Sequence, residues 1–160
     1  MERGPSSFEF SVLVSSHVAG LNRQLLAEHF LTLSEEGRLY RFLRRMDVEA
    51  IDAHVRHVLT DAHAVIIASQ SDRICGLAEL YISSQTPSAE FGLSVLERSQ
   101  RQRLGTSMTR MLIRIAEHAQ LTSLSAVTLM ENRTARALLT NLGFRQRGSG
   151  EECHATLLLG

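Results

Sequence analysis

The run at residues 91–105, FGLSVLERSQRQRLG, decides how the rest of the chain reads. Its first half alternates: Phe91, Leu93 and Val95 share one face of an extended strand, while Glu90, Gly92 and Ser94 share the other. A short basic loop follows, Gln100-Arg101-Gln102-Arg103-Leu104-Gly105-Thr106, and then Leu104, Met108, Met111, Ile115 and Ala119 recur at three- and four-residue spacing. That spacing predicts an amphipathic helix over 104–120. A helix N-terminus offers unpaired N–H groups and the positive end of the helix dipole. Gly105 removes a side chain where backbone must come close to a ligand. Arg101 and Arg103 add charge-assisted donors, so the strand-turn-helix junction is suited to phosphate oxygens.

Around this junction the chain reads as an ordinary globular protein. At 160 residues and 44% apolar content it is expected to form one domain, 1–160, with a substantial core. Lys plus Arg and Asp plus Glu number 17 each, so no net field draws nucleic acid or membrane. With no tryptophan and 5% aromatics, no stacking platform for nucleic acid is expected either. The excess positive charge is local: Arg98, Arg101, Arg103, Arg110 and Arg114 surround the loop, as a small anionic ligand requires. Cys75 and Cys153 lack paired spacing, which predicts small buried thiols and no zinc site or disulfide frame. No membrane-length apolar run or signal-peptide core is evident, and a cytoplasmic protein, monomer or homodimer, is expected.

The remaining elements follow from periodicity. Residues 1–7 read as a loose start. Phe8, Phe10, Val12 and Val14 predict a half-buried strand, and 15–20 a turn. Leu26, Phe30 and Leu33 predict a helix over 21–33, and Gly37 is expected to break the chain out of it. Asp47 is a suitable N-cap for a second helix that buries Val48, Ile51, Val55 and Val58. His54 and His57 lie three apart on it with no third ligand nearby, and read as solvated surface histidines. Strands are expected over 64–68, 74–82, 89–95 and 124–130, with weaker ones over 144–147 and 153–159. A helix over 132–142 ends at Gly143, where a left-handed residue is wanted. The order β, α, α, β, β, β, α, β, α, β, β predicts an α+β (mixed α/β) fold: one twisted mixed sheet with helices on both faces.

Two motifs carry a resemblance. Val95 followed by Gln100-x-x-x-Leu104-Gly105 resembles the acetyl-CoA signature of the GNAT superfamily of N-acetyltransferases, Q/R-x-x-G-x-G/A. Glu131-Asn132-Arg-Thr-Ala135 and Asn141-Leu-Gly-Phe144 resemble its second motif, N-x-x-A followed by LGF. The segment at 34–42 is similar to one that precedes such domains in bacterial protein lysine acetyltransferases. The resemblance spans most of the chain from about Ala64 onward. It implies a GNAT-like fold and transfer of an acetyl group from acetyl-CoA, a co-substrate, to an amine of a protein lysine or a small molecule. No metal is implied.

By the same resemblance, acetyl-CoA would lie between two splayed parallel strands. Backbone at Leu93, Ser94 and Val95 would hold its pantetheine arm, and an N–H near Val95 would polarise the thioester carbonyl. Residues 100–106 would hold the pyrophosphate, and Asn132 would contribute from the last helix. An amine must be neutral to attack, so a general base is wanted. Glu90, off the strand's apolar face, is the candidate, with Glu79 on the neighbouring strand as the alternative. His17 and His118 are further possible proton relays. Two positions depart from the family pattern. Arg103 stands where the first glycine is usual, and is expected to turn outward and pair with a phosphate. Leu139 stands where many members carry the tyrosine that protonates the leaving thiolate. A catalytically weak acyl-CoA-binding regulatory module of the same fold is the alternative these departures suggest. A nucleotide-phosphate binder is disfavoured, since neither a Lys-Ser/Thr pair after Gly105 nor a Rossmann glycine fingerprint is present.

Overall fold

The computed structural model describes residues 7–160, so the loose start read over 1–7 lies, but for Ser7, outside the described residues. Strands β1 (Glu9–Val14), β2 (Ala64–Gln70), β3 (Arg73–Ile82), β4 (Ser88–Val95), β5 (Ser123–Leu129), β6 (Arg145–Ser149) and β7 (Glu152–Leu158) form one sheet of order β1-β2-β3-β4-β5-β7-β6. Helices α1 (Arg23–Thr32), α2 (Glu35–Phe42), α3 (Val48–Asp61), α4 (Leu104–His118) and α5 (Arg133–Asn141) complete it. Every neighbouring strand pair is antiparallel except β4 and β5, which run parallel through the α4 crossover. The fold is mixed α/β, as the element order predicted. Among the described residues no helix is long and apolar enough to cross a membrane.

The central strands bury both faces because their residues supply two apolar sets. On β2, Ala64, Ile66 and Ala68 pack with Met108, Leu112 and Ala116 of α4, while Val65 faces the core made with α1 and α3. Ile51, Val55 and Val58 of α3 are fully buried in that second core. Each contributes about 2 kcal/mol of apolar burial. Asp47 caps α3 as expected, its Oδ1 accepting the Ala50 N–H at 2.8 Å. Gly143 takes φ +89° at the end of α5, again as expected.

Three expectations fail locally. Val48 is 66% exposed, because it occupies the first turn of α3 on the side away from the core. Phe10, Val12 and Val14 are exposed rather than half-buried: β1 is the edge strand, and α4 packs chiefly on β2 to β5. Gly37 breaks no helix. The break falls at Leu33, where ψ turns to 144°, and Ser34 then caps α2 by accepting the Gly37 N–H at 2.9 Å. Glycine suits that first-turn position for packing reasons, since a Cβ there would lie 2.5 Å from Glu97 Oε1.

Candidate active site

Parallel strands β4 and β5 pair at only three positions, Ser88 with Ser123, Ala89 with Leu124 and Glu90 with Ser125. Beyond Glu90 they diverge, although β4 continues to Val95 and β5 to Leu129. Peptide groups alternate sides along a strand. The Leu96 N–H bonds the Cys75 carbonyl on the β3 side at 2.8 Å, so the groups of Phe91, Leu93 and Val95 face the opposite side, toward the gap. The Val95 carbonyl there accepts the Gln100 side-chain amide at 3.1 Å.

The gap opens into a cleft of about 1490 Å³. Leu93, Ser94, Val95, Gln100, Arg101, Arg103, Leu104, Gly105, Thr106, Asn132 and Glu90 all line it, so one depression gathers these expected site residues. Gln102 does not line it, and neither do Arg98, Arg110 and Arg114. They sit at solvent-facing positions of the loop and α4, and Arg114 borders a separate shallow depression.

The loop has backbone geometry that suits an anion. Arg101 and Arg103 take φ +61° and +63°, so each N–H direction is reversed relative to an extended residue. Arg103 is the N-cap of α4 and supplies no side-chain cap, which leaves the first-turn amides of Leu104, Gly105 and Thr106 without a side-chain acceptor from their cap. Left-handed backbone costs a non-glycine residue roughly 1–2 kcal/mol. The fold thus keeps at Arg103 a backbone shape that a glycine would adopt freely, and the guanidinium side chain stays exposed. A Cβ at Gly105 would lie 2.8 Å from Leu138 Cδ1, so that side-chain end would have to shift. Asn132 caps α5 by accepting the Ala135 N–H at 3.2 Å while lining the cleft.

The other wall comes from α2 and α3. Helix α2 is fastened to the loop after β4 by Glu97, whose Oε1 accepts from the Ser34 amide at 3.0 Å and hydroxyl at 2.6 Å. Burial pushes the Glu97 carboxyl up, but these bonds outweigh it and hold its pKa below the ordinary value. At the end of α2, the Arg41 guanidinium lies against β4 at Gly92, where a Cβ would overlap it. It lies 4.8 Å from the Phe42 ring centroid.

Beneath it sits Glu79, 0% exposed, its Oε2 accepting from Arg41 Nη2 at 2.7 Å, His54 Nε2 at 3.0 Å and the Tyr81 hydroxyl at 3.0 Å. Burial alone would raise the Glu79 pKa, but Arg41, His54 and Tyr81 together bring it down to about 2. Burial, then the Glu79 charge, hold Tyr81 protonated, well above the ordinary phenol value. A second buried pair lies alongside: His29 Nε2 meets Ser94 Oγ at 2.8 Å and its Nδ1 meets the Ile74 carbonyl at 3.3 Å. A carbonyl only accepts, so Nδ1 carries the proton and Ser94 donates to Nε2. Burial lowers the His29 pKa to about 4 and keeps the ring neutral.

Sequence reasoning missed this polar wall. His54 is no solvated surface histidine: its side chain is 16% exposed, bonded to Glu79 and edged by Phe30 and Phe42. His57 is half-exposed, stacks on Tyr81 at 4.8 Å and pairs with Asp61 at 2.7 Å. One signal was available. Glu79 and Tyr81 share a strand face, and an uncharged strand neighbour cannot neutralise a buried carboxylate, so a basic partner from a helix was required. Glu90 is exposed at the cleft's edge, with Tyr81 as its register partner. His118 is a surface residue on α4 outside the cleft, and His17 does not line the cleft.

Comparison with known proteins agrees with this geometry. The profile of the Acetyltransferase (GNAT) family matches residues 23–144, and the chain belongs to that family of acyl-CoA-dependent N-acyltransferases. Among curated proteins no significant match was found. Among solved structures, the GNAT domain of S. lividans PAT superposes with a TM-score of 0.75 at 14% identity, covering 95% of this chain and 90% of that one. Spermidine N-acetyltransferase from Vibrio cholerae, in complex with CoA and spermine, gives 0.70 at 17% identity, covering 93% and 95%. Ribosomal-protein-S5-alanine acetyltransferase from Vibrio fischeri gives 0.71 at 14% identity, covering 95% and 94%. At these identities the likeness is one of fold.

Proposed function

We propose that this chain transfers the acetyl group of acetyl-CoA directly to a primary amine, on a protein lysine or a small molecule. The observation that carries the reading is the three-pair contact between β4 and β5 beside an α4 N-terminus whose cap residue offers no side-chain acceptor. Gap-facing groups of Leu93 and the Val95 N–H suit the amides of a pantetheine arm, and the first-turn amides with Arg101 and Arg103 suit a pyrophosphate. No strand pairing closes the gap beyond Glu90, so the residues present fit the group. The relatives' acceptors include a polyamine and a ribosomal-protein alanine by their names, which supports an amine acceptor without choosing among amines.

In this reading Val95 or Leu93 N–H stabilises the negative charge that develops on the thioester oxygen. Glu90 accepts a proton from the arriving ammonium, directly or through water, since a lysine amine with a pKa near roughly 10.4 is charged at neutral pH. Leu139 is buried and has no proton to give, so solvent reprotonates the thiolate. Thiol release measured with lysine peptides, N-terminal alanine peptides and polyamines tests the assignment. Turnover with at least one amine is expected, and acetyl-CoA binding without turnover on any of them would leave a regulatory acyl-CoA-binding module.

A further inference from the structure

We infer that His54, held by Glu79, is a second proton acceptor on the acceptor side of the cleft, an inference that rests on the amine-acetylation reading above. The imidazole is fixed on three sides: Nε2 is 3.0 Å from Glu79 Oε2, and Phe30 and Phe42 meet the ring edge-to-face at 5.3 and 4.8 Å. Glu79 is a carboxylate at any working pH and already accepts from Arg41 and Tyr81 through the same oxygen. A carboxylate oxygen only accepts, so Nε2 carries the proton and Nδ1 is the basic nitrogen. Nδ1 has no hydrogen-bond partner among the described residues, and His54 lines the cleft. A carboxylate-buttressed imidazole with its other nitrogen unengaged is the arrangement of a general base, with Glu79 as its positioning residue.

The reaction needs such a group because nitrogen loses two protons. The first leaves the ammonium so that its lone pair can bond to the thioester carbon. The second leaves the nitrogen of the tetrahedral adduct and passes to His54 Nδ1. The carbon–sulfur bond then breaks, the electron pair departs on the CoA sulfur, and the thiolate takes a proton from water. His54 returns its proton to solvent, so amide, thiol and one released proton balance the ammonium and thioester.

The groups that face His54 are Arg41 from α2, Glu79 and Tyr81 from β3 and His57 from its own helix, with the buried neutral His29 behind Phe30 on α1. The test combines kinetics and spectroscopy on the full chain. His54→Gln is expected to lose about a hundredfold in kcat with the acetyl-CoA KM unchanged, and to flatten the acid side of the wild-type pH–rate profile. Glu79→Gln removes the carboxylate that orients the ring, so kcat falls with the acetyl-CoA KM unchanged. Because Glu79→Gln risks unfolding, ¹⁵N-imidazole spectra of wild type supply a second readout: the neutral His54 ring is expected as the Nε2–H tautomer. A folded His54→Gln with unchanged kcat and pH–rate profile, or an Nδ1–H tautomer in wild type, overturns the inference while leaving the transferase assignment standing. Wild type with no turnover on any amine overturns both.

Discussion

At the scale of single residues, charge placement governs the site. Arg103 is exposed in a left-handed conformation at the mouth of the cleft, with no ion pair among the described residues. Arg103→Ala is expected to weaken CoA binding by about 1 kcal/mol, roughly fivefold, as one exposed charge-assisted contact allows. Titration calorimetry at two salt concentrations checks this, and the deficit shrinks at high salt. Glu79 and Arg41 behave differently because they are buried. Arg41→Ala leaves Glu79 without its guanidinium, at 0% exposure, and costs about 3–5 kcal/mol of stability. His29 sets a pH dependence. Its pKa is about 4 in the folded chain and near the ordinary 6.5 when unfolded, so its neutral form favours folding. That stability is complete above 6.5 and is lost as pH falls toward 4. Thermal melts across that window should fall in wild type and flatten in His29→Gln.

Elements place these residues. Helix α2 is short, and its apolar surface alone would hold it weakly. It is pinned at one end by Ser34 to Glu97 and at the other by Arg41 to Glu79, with Gly92 leaving room for the guanidinium. Gly92→Ala is therefore expected to displace Arg41 and lower the melting temperature, whereas the same substitution at Gly20, where nothing lies within 4 Å, leaves it unchanged within error. Differential scanning calorimetry distinguishes the two. Much of this level was legible from the chain. The alternation of Phe91, Leu93 and Val95, the three-four spacing of α4 and the Gly143 stop are local patterns, and each element formed where its pattern lay. Gly37 was misread because capping by Ser34 and the close approach of Glu97, a residue far along the chain, decide that turn. The splay of β4 from β5 was expected only through family resemblance, since no local rule says where two strands part.

For the whole molecule, the two cores divide the labour. The α4 side fixes the loop at 100–106 against the sheet, while the α1–α3 side carries buried polar groups up to β4. The wall of Arg41, His54, Glu79 and Tyr81 was illegible in sequence because its members come from three separate elements and meet only through long-range packing. One side of the cleft takes its shape from that wall, and the other from the loop at 100–106.

Amide hydrogen exchange with and without acetyl-CoA tests the central claim most directly, because it reads the strand groups and the helix turn in one experiment. The N–H groups of Leu93, Val95 and Leu104–Thr106 should exchange readily in the free protein and become protected when acetyl-CoA is added, with β1 and β6 unchanged. Unaltered exchange at all five of these amides under saturating acetyl-CoA, or protection confined to other parts of the sheet, would contradict the account.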